Sequence, residues 1–208
     1  GREEPGSGGS HRSFDRHEST VKSVRIIGGQ HRGLTLAAVG KGDAAAHLRP
    51  TSDRVRESLF NVLQGGRFGD PINDTHVLDL FAGTGALGLE ALSRGAAHVT
   101  FVDSGRVAQK LIRENIAKCR RADDAKVLSC DVTQLPPAPV ACGLVFADPP
   151  YGKGLGPIAI NAARSAGWIA DDALIVLEDN AALPAPIGYT SLDQRRYGET
   201  WITLLEPA

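Results

Sequence analysis

The sequence predicts an α/β protein with a seven-stranded, mostly parallel sheet. Three short apolar runs have the length and composition of buried parallel strands, and they are 76–80, 97–102 and 143–147. Two later segments, on either side of Tyr197-Gly198, show the alternating residue pattern of strands, and they are 189–195 and 200–205. This pattern predicts a closing antiparallel hairpin whose final strand inserts into the sheet. With 208 residues, 42% of them apolar, the chain can fill one α/β core.

The amino-terminal residues differ from the rest in composition. Residues 1–22 are rich in Gly, Ser, Arg and Glu without periodic apolar positions, which predicts a disordered tail. The tail lacks the apolar core of a signal peptide, and no run of about 18 apolar residues predicts a membrane helix. Three cysteines, none in CxxC spacing, are typical of a reduced cytoplasmic protein and predict no metal site.

Residues 23–67 are predicted to form a small extension, a hairpin followed by a helix, ahead of the main domain at 68–208. The hairpin pattern covers 24–36. Thr51 or Ser52 can cap the helix, and a glycine pair ends it. Its apolar face carries Val55, Leu59, Phe60 and Leu63, and the glycines are Gly65 and Gly66.

The extension is also the basic part of the chain. From residue 22 to residue 67, eight basic residues stand against three acidic ones, whereas the whole chain has a net charge of -1. A protein of this net charge is not coated in basic residues, so any nucleic-acid contact must be a local patch.

A glycine turn follows the first predicted strand of the main domain. Gly83, Gly85 and Gly88 connect this strand to a helical pattern. Glycines let the backbone approach a ligand, and the helix amino terminus offers unpaired N–H groups. The next strand ends at Asp103, about 20 residues past the glycines, where a carboxylate can accept ribose hydroxyls. These features alone fit either NAD or S-adenosylmethionine.

Two further acids distinguish between these two candidate cofactors. Asp79 precedes the glycines and would lie near the centre of the ligand, where it repels a pyrophosphate and attracts a cationic amino-acid moiety. Asp131 follows the predicted strand 126–129, where it can accept from an adenine N6 amine. We therefore expect S-adenosylmethionine, held by these acids, the turn glycines and Phe81 in the same turn.

The segment Asp148-Pro149-Pro150-Tyr151 is the strongest chemical signal. It follows the apolar run 143–147, and its two prolines prevent continuation as strand or helix. It pairs a hydrogen-bond acceptor with a stacking ring at the strand end where α/β proteins bind ligands. We expect Asp148 and the Pro149 carbonyl to accept the hydrogens of an amine on a planar base. Tyr151, with Pro150, would contact that base.

Several segments together resemble the RsmD family, and they are 24–36, 48–63, 79–96, 148–154 and 197–206. The resemblance covers nearly everything after residue 22 and implies a Rossmann-like class I methyltransferase fold. It implies transfer of a methyl group from S-adenosylmethionine to the N2 amine of a guanine in 16S ribosomal RNA. The substrate would be a small ribosomal subunit or its assembly intermediate, and the enzyme a bacterial cytoplasmic monomer. The helix of the extension would pack near the cofactor, and the RNA contacts would be Arg25, Arg32, Arg49, Arg54 and Arg56.

Three other functions remain open from the residues alone. An adenine-N6 methyltransferase of RNA or DNA would use the same tetrapeptide, since it suits any exocyclic amine. An NAD-dependent oxidoreductase would explain the glycine turn and Asp103 but leaves Asp148 without a role. A noncatalytic ribosome-assembly binder would keep the fold without turnover. The stretch 120–142 carries no motif and is predicted to be a variable loop or edge.

Overall fold

The computed structural model describes residues 24–38 and 51–208. The predicted tail at 1–22 lies outside the described residues, and so does Arg49. The strands are β1 (Val24–Arg25), β2 (Thr35–Leu36), β3 (His76–Leu80), β4 (His98–Val102), β5 (Ala125–Leu128), β6 (Cys142–Ala147), β7 (Ile169–Asp179), β8 (Tyr189–Tyr197) and β9 (Thr200–Pro207). The helices are α1 (Asp53–Leu63), α2 (Ala86–Ser93), α3 (Arg106–Cys119) and α4 (Leu155–Ser165), with a 3₁₀ turn at Ala122–Asp124.

The main sheet has seven strands in the order β5-β4-β3-β6-β7-β9-β8. The five strands β3 to β7 are parallel to one another, and β9 lies antiparallel between β7 and β8. The predicted fold class and the inserted final strand are therefore confirmed. The strand order reverses between β3 and β6, which leaves a crevice at their carboxyl ends.

Two apolar clusters cover the two faces of the sheet. One contains Phe101 and Phe146 with α2, and the other contains Trp168 and Ile160 of α4. Helix α1 joins the first cluster through Phe60, whose ring centroid lies 5.8 Å from that of Phe146. The extension thus packs into the same core as the sheet. In the described part of the chain, no helix is long and apolar enough to cross a membrane.

The predicted helix of the extension is confirmed with its apolar face and its cap. Ser52 caps α1 by accepting a hydrogen bond from the Val55 N–H at 3.2 Å. The predicted hairpin is present as β1 and β2, although only two residues of each strand pair. The stretch 120–142, for which no motif was found, holds the edge strand β5 and a loop whose Pro136 carbonyl accepts from the Trp168 indole at 2.7 Å.

A buried ion cluster attaches the extension to α2. Glu90, with 0% exposure, accepts hydrogen bonds from the backbone N–H groups of Ile27 and Gly28 at 2.9 and 3.1 Å. It also accepts from the Arg56 Nε at 3.2 Å and the Arg94 Nε at 3.1 Å. A buried carboxylate needs this compensation, because desolvation of a charge is costly.

Arg56 corrects one sequence expectation. We expected it to contact RNA, but its side chain is 1% exposed and its guanidinium is bonded internally. Besides Glu90, it donates to the Thr51 carbonyl at 3.1 Å, to Asp53 Oδ1 at 2.8 Å and to the Arg25 carbonyl. Arg56 is therefore a structural residue that fixes the start of α1 against α2.

Candidate active site

Asp79 and Asp148, predicted to serve the cofactor and the transfer reaction, lie at the crevice between β3 and β6. In the register of these strands, Asp79 is paired with Phe146 and Leu80 with Ala147. Asp148 follows directly after Ala147, so its carboxyl group and that of Asp79 belong to the same edge of the sheet. They are close enough that the charge of Asp148 raises the pKa of Asp79.

The glycine turn is held by acidic side chains of neighbouring strands. Asp103, after β4, accepts from the Gly83 N–H at 3.0 Å through Oδ2 and from the Gly105 N–H at 2.9 Å through Oδ1. The carboxylate of Asp79 accepts from the Gly88 N–H at 3.0 Å in the first turn of α2. Both acids therefore shape the loop.

The backbone of this turn requires its glycines. Gly83 and Gly85 have φ values of 60° and 81°, a region that side chains disfavour. At Gly88, an added Cβ would lie 2.4 Å from the Phe101 ring, so only glycine permits the close contact of α2 with β4. Phe81 adopts φ 57° without being a glycine, and strain of this kind clusters at ligand sites.

Asp79 is the most strongly perturbed acid of the turn. Its side chain is 1% exposed, and burial raises its pKa well above the usual value, with smaller contributions from the charges of Asp148 and Asp103. The Gly88 hydrogen bond acts in the opposite direction. A cluster of buried acids disfavours a pyrophosphate and is relieved by a cation. These acidic side chains therefore fit the ammonium and sulfonium groups of S-adenosylmethionine.

Asp131 lies in a different environment. It is exposed in the loop after β5, and its Oδ1 accepts from the Thr133 N–H at 2.8 Å and the Thr133 hydroxyl at 2.6 Å. These hydrogen bonds lower the pKa of Asp131. The residue stays an anion fixed in a turn, and its contact with an adenine amine remains a prediction.

The tetrapeptide after β6 combines a half-buried acid with an accessible ring. Burial raises the pKa of Asp148 to about 6. Pro149 is buried and Pro150 is exposed, while Tyr151 is 42% exposed. Burial, and secondarily the charge of Asp148, raise the pKa of Tyr151 to about 12, so its phenol stays protonated at neutral pH. The ring is free to stack on a planar group beside the carboxyl group.

Two residues of this site were missed by sequence reasoning. Glu178, at the carboxyl end of β7, is 2% exposed and adjoins Asp148. The Thr51 hydroxyl lies 3.1 Å from each Glu178 carboxylate oxygen and 3.5 Å from Asp148 Oδ2. Glu178 directly follows an apolar run, as Asp148 does, but no motif marks it in the sequence. Thr51 was considered only as a helix cap.

The predicted RNA-contacting arginines divide into three groups. Arg25, Arg32 and Arg54 are exposed, and Arg25 lies 4.0 Å from Asp53 in a loose surface pair. Arg56 is buried, and Arg49 lies outside the described residues. The exposed arginines remain candidates for phosphate contacts.

Solved structures resemble this fold closely. A putative methyltransferase from Escherichia coli has a TM-score of 0.74 and 38% identity, over 89% of this chain and 98% of that one. At the level of fold alone, a ribosomal protein L11 methylase from Lactobacillus delbrueckii subsp. bulgaricus matches with a TM-score of 0.58 and 12% identity, over 78% and 82% of the two chains. With the strand order and the acidic glycine turn, these likenesses define a Rossmann-like class I methyltransferase fold.

Sequence comparisons narrow this class. A family model described as "Conserved hypothetical protein 95" matches residues 24–206. The ribosomal RNA small subunit methyltransferase D of Escherichia coli K12 is 42% identical over 155 residues, 74% of this chain and 74% of that protein. The protein of the same name from Haemophilus influenzae is 35% identical over 182 residues, 84% and 89% of the two chains. The chain belongs to this methyltransferase D family, RsmD.

Proposed function

We propose that this protein transfers a methyl group from S-adenosylmethionine to the exocyclic N2 amine of a guanine in small-subunit (16S) ribosomal RNA. The observation that carries the proposal is the position of Asp148 and Tyr151 at the same sheet edge as the buried Asp79. The names of the relatives in the RsmD family support ribosomal RNA as the substrate class.

The cofactor would be bound by the acidic glycine turn. Asp79 would attract its ammonium group, Asp103 would accept from its ribose hydroxyls and Asp131 from its adenine amine. Gly83, Gly85 and Phe81 would form the close backbone surface. When bound, S-adenosylmethionine supplies an electrophilic methyl group on a positively charged sulfur.

Asp148 and the Pro149 carbonyl would activate the amine. The lone pair of an aromatic amine is delocalised into the ring, and two acceptors on its hydrogens localise that pair on nitrogen. Tyr151 would stack on the flipped-out base and fix its plane, a contact of about 1–3 kcal/mol. Most of the acceleration would come from positioning of the two reactants.

Asp148 would also take the proton that the nitrogen loses. After methyl transfer the nitrogen carries a positive charge, and losing one N–H proton restores the neutral amine. A carboxylate whose pKa is raised to about 6 is a stronger base than an ordinary aspartate. Arg25, Arg32 and Arg54, with Arg49, would contact phosphates of an RNA that belongs to an assembling or assembled small subunit.

The test is methyl transfer by the full chain and by an Asp148→Ala variant. Each is incubated with methyl-labelled S-adenosylmethionine and small-subunit particles that lack the modification. We expect label in the RNA with the unaltered chain and none with the variant, while calorimetry gives nearly equal cofactor affinity for both. Equal loss of transfer and of cofactor binding would remove the catalytic assignment of Asp148.

A further inference from the structure

Two acids end neighbouring strands at the active site. Strands β6 and β7 are parallel, and Ala147 is paired with Leu177. Asp148 and Glu178 each follow directly after this pair, so they occupy matching positions. Each carboxyl group is a hydrogen-bonding neighbour of the other. Among the ion pairs of the described residues, neither acid has a basic partner.

Two neighbouring carboxyl groups cannot both ionise without a large cost in free energy, so the pair shares a proton. Glu178 is the more buried member, with 2% exposure, whereas Asp148 is partly accessible. Burial and the charge of Asp148 together raise the pKa of Glu178 well above its usual value. The proton therefore belongs on Glu178, and the negative charge on Asp148.

The surrounding charges act on both members of the pair, because Asp79 raises the pKa of Glu178 and Asp179 raises that of Asp148. The acids that face the pair are Asp79 from β3 and Asp179 from β7, and the phenol of Tyr151 is neutral. Arg56 reaches the Thr51 carbonyl, but its charge is paired with Glu90 and Asp53. In the described part of the chain, the hydrogen bond between the two carboxyl groups favours a proton on Glu178, because it raises the pKa of Glu178 and lowers that of Asp148.

Thr51 supplies the remaining polar contact. Its hydroxyl has one proton to donate, and the two Glu178 oxygens at 3.1 Å are nearer than Asp148 Oδ2 at 3.5 Å. The Arg56 hydrogen bond to the Thr51 carbonyl at 3.1 Å holds the backbone that carries this hydroxyl. The Thr51 hydroxyl contacts Asp148 through Oδ2 rather than Oδ1.

We propose that Thr51 and Glu178 are positioning residues for the transfer reaction: Thr51 donates to a Glu178 carboxyl group that stays protonated, and Glu178 in turn donates to Asp148. This inference rests on the proposed function, because these hydrogen bonds can affect the transfer reaction only if Asp148 acts on a substrate amine. These hydrogen bonds orient the Asp148 carboxylate toward the amine and keep Asp148 ionised. Since Glu178 already holds its proton, Asp148 is the member of the pair that accepts another.

The protonation of Glu178 is tested without substrate. Protein labelled with ¹³C at the glutamate side-chain carboxyl is compared by infrared spectroscopy with its Glu178→Gln variant at neutral pH. We expect a carbonyl band of a protonated, ¹³C-labelled carboxyl group that the variant lacks. If the unaltered chain shows no such band, the proposal fails, whatever its activity on RNA.

The positioning role is tested by graded substitutions. Glutamine at position 178 keeps a neutral donor to Asp148, so Glu178→Gln should retain kcat within about threefold, whereas Glu178→Ala should lose on the order of 100-fold. Thr51→Val should lower kcat about tenfold, as for one lost hydrogen bond, with an unchanged KM for S-adenosylmethionine. Thr51→Ser should restore it.

A Thr190→Val variant on the exposed face of β8 controls for the valine substitution. If Glu178→Gln were as inactive as Glu178→Ala, with cofactor binding intact, the proposal would be overturned. Unchanged kcat in Thr51→Val would do the same. If the unaltered chain methylates no RNA, the proposed function fails instead, and the infrared result still stands or falls by itself.

Discussion

The acids at the strand ends differ in their electrostatic environment, and this difference separates their roles. Burial raises the pKa values of Asp79 and Asp148, whereas hydrogen bonds from Thr133 lower that of Asp131. A buried acid with a raised pKa binds a cation or a proton readily, which suits cofactor binding at Asp79 and proton acceptance at Asp148. Asp131 is suited only to accept hydrogen bonds.

The raised pKa of Asp148 predicts an acid limit to activity. The proposed reaction needs an ionised Asp148, so the single-turnover rate should fall as the pH is lowered through about 6. Cofactor affinity is measured at each pH, so that binding and transfer are separated. A rate that stays constant well below this pH, with the protein folded, would contradict the role of Asp148 as acceptor.

Asp79→Asn should weaken cofactor binding and stabilise the folded chain at neutral pH. The pKa of Asp79 is higher in the folded than in the unfolded state, so its ionisation at neutral pH costs folding free energy, which asparagine avoids. Cofactor affinity should drop on the order of tenfold or more, because a charge partner is lost. Urea unfolding and calorimetry measure the two effects.

The control for this substitution is Asp131→Asn. The pKa of Asp131 is lowered by folding, so its ionised form favours the folded state above the unfolded pKa, and asparagine should bring no gain. If Asp79→Asn and Asp131→Asn changed the free energy of unfolding in the same direction, the electrostatic account of the turn would be wrong.

At the scale of elements, α1 carries two arginines of opposite environment. Arg56 is buried against Glu90, and Arg54 is exposed. Arg56→Ala should lower the free energy of unfolding by about 3–5 kcal/mol, because it leaves a buried carboxylate with less compensation. Arg54→Ala on the same helix should change it by less than about 0.5 kcal/mol and should weaken RNA binding instead. Denaturant unfolding and RNA-binding titrations distinguish the two variants, and similar unfolding curves for both would contradict the buried pairing.

Local patterns in the sequence predicted most of the elements and all of the candidate site described above except Thr51 and Glu178. The spacing of Val55, Leu59, Phe60 and Leu63 was enough to predict α1, since the apolar face of a helix is a pattern of residues close in sequence. Asp103 and Asp148 were found because each directly follows an apolar run, and Asp79 because it lies near the end of one, just before the glycine turn. The burial of Arg56 was not predictable, because its partner Glu90 lies 34 residues away. The contact of Thr51 with Glu178 spans 127 residues and leaves no local pattern.

At the scale of the whole molecule, the strand reversal between β3 and β6 explains why one site uses distant residues. Asp79 comes from β3, Asp148 follows β6 and Glu178 is the penultimate residue of β7, while the extension contributes Thr51 just before α1. The Arg56–Glu90 cluster holds the extension against α2, and the Gly88 N–H in the first turn of α2 donates a hydrogen bond to Asp79. The proposed cofactor site, the proposed catalytic residues and the attachment of the extension are therefore linked through α1 and α2.

The most direct measurement of the central claim is the identity of the methylated nucleoside. Small-subunit particles, naked 16S RNA and duplex DNA are each incubated with the protein and methyl-labelled S-adenosylmethionine, then digested, and the labelled nucleoside is identified by mass. The account predicts N2-methylguanosine from RNA. Labelled N6-methyladenine, or no label despite cofactor binding, would contradict it.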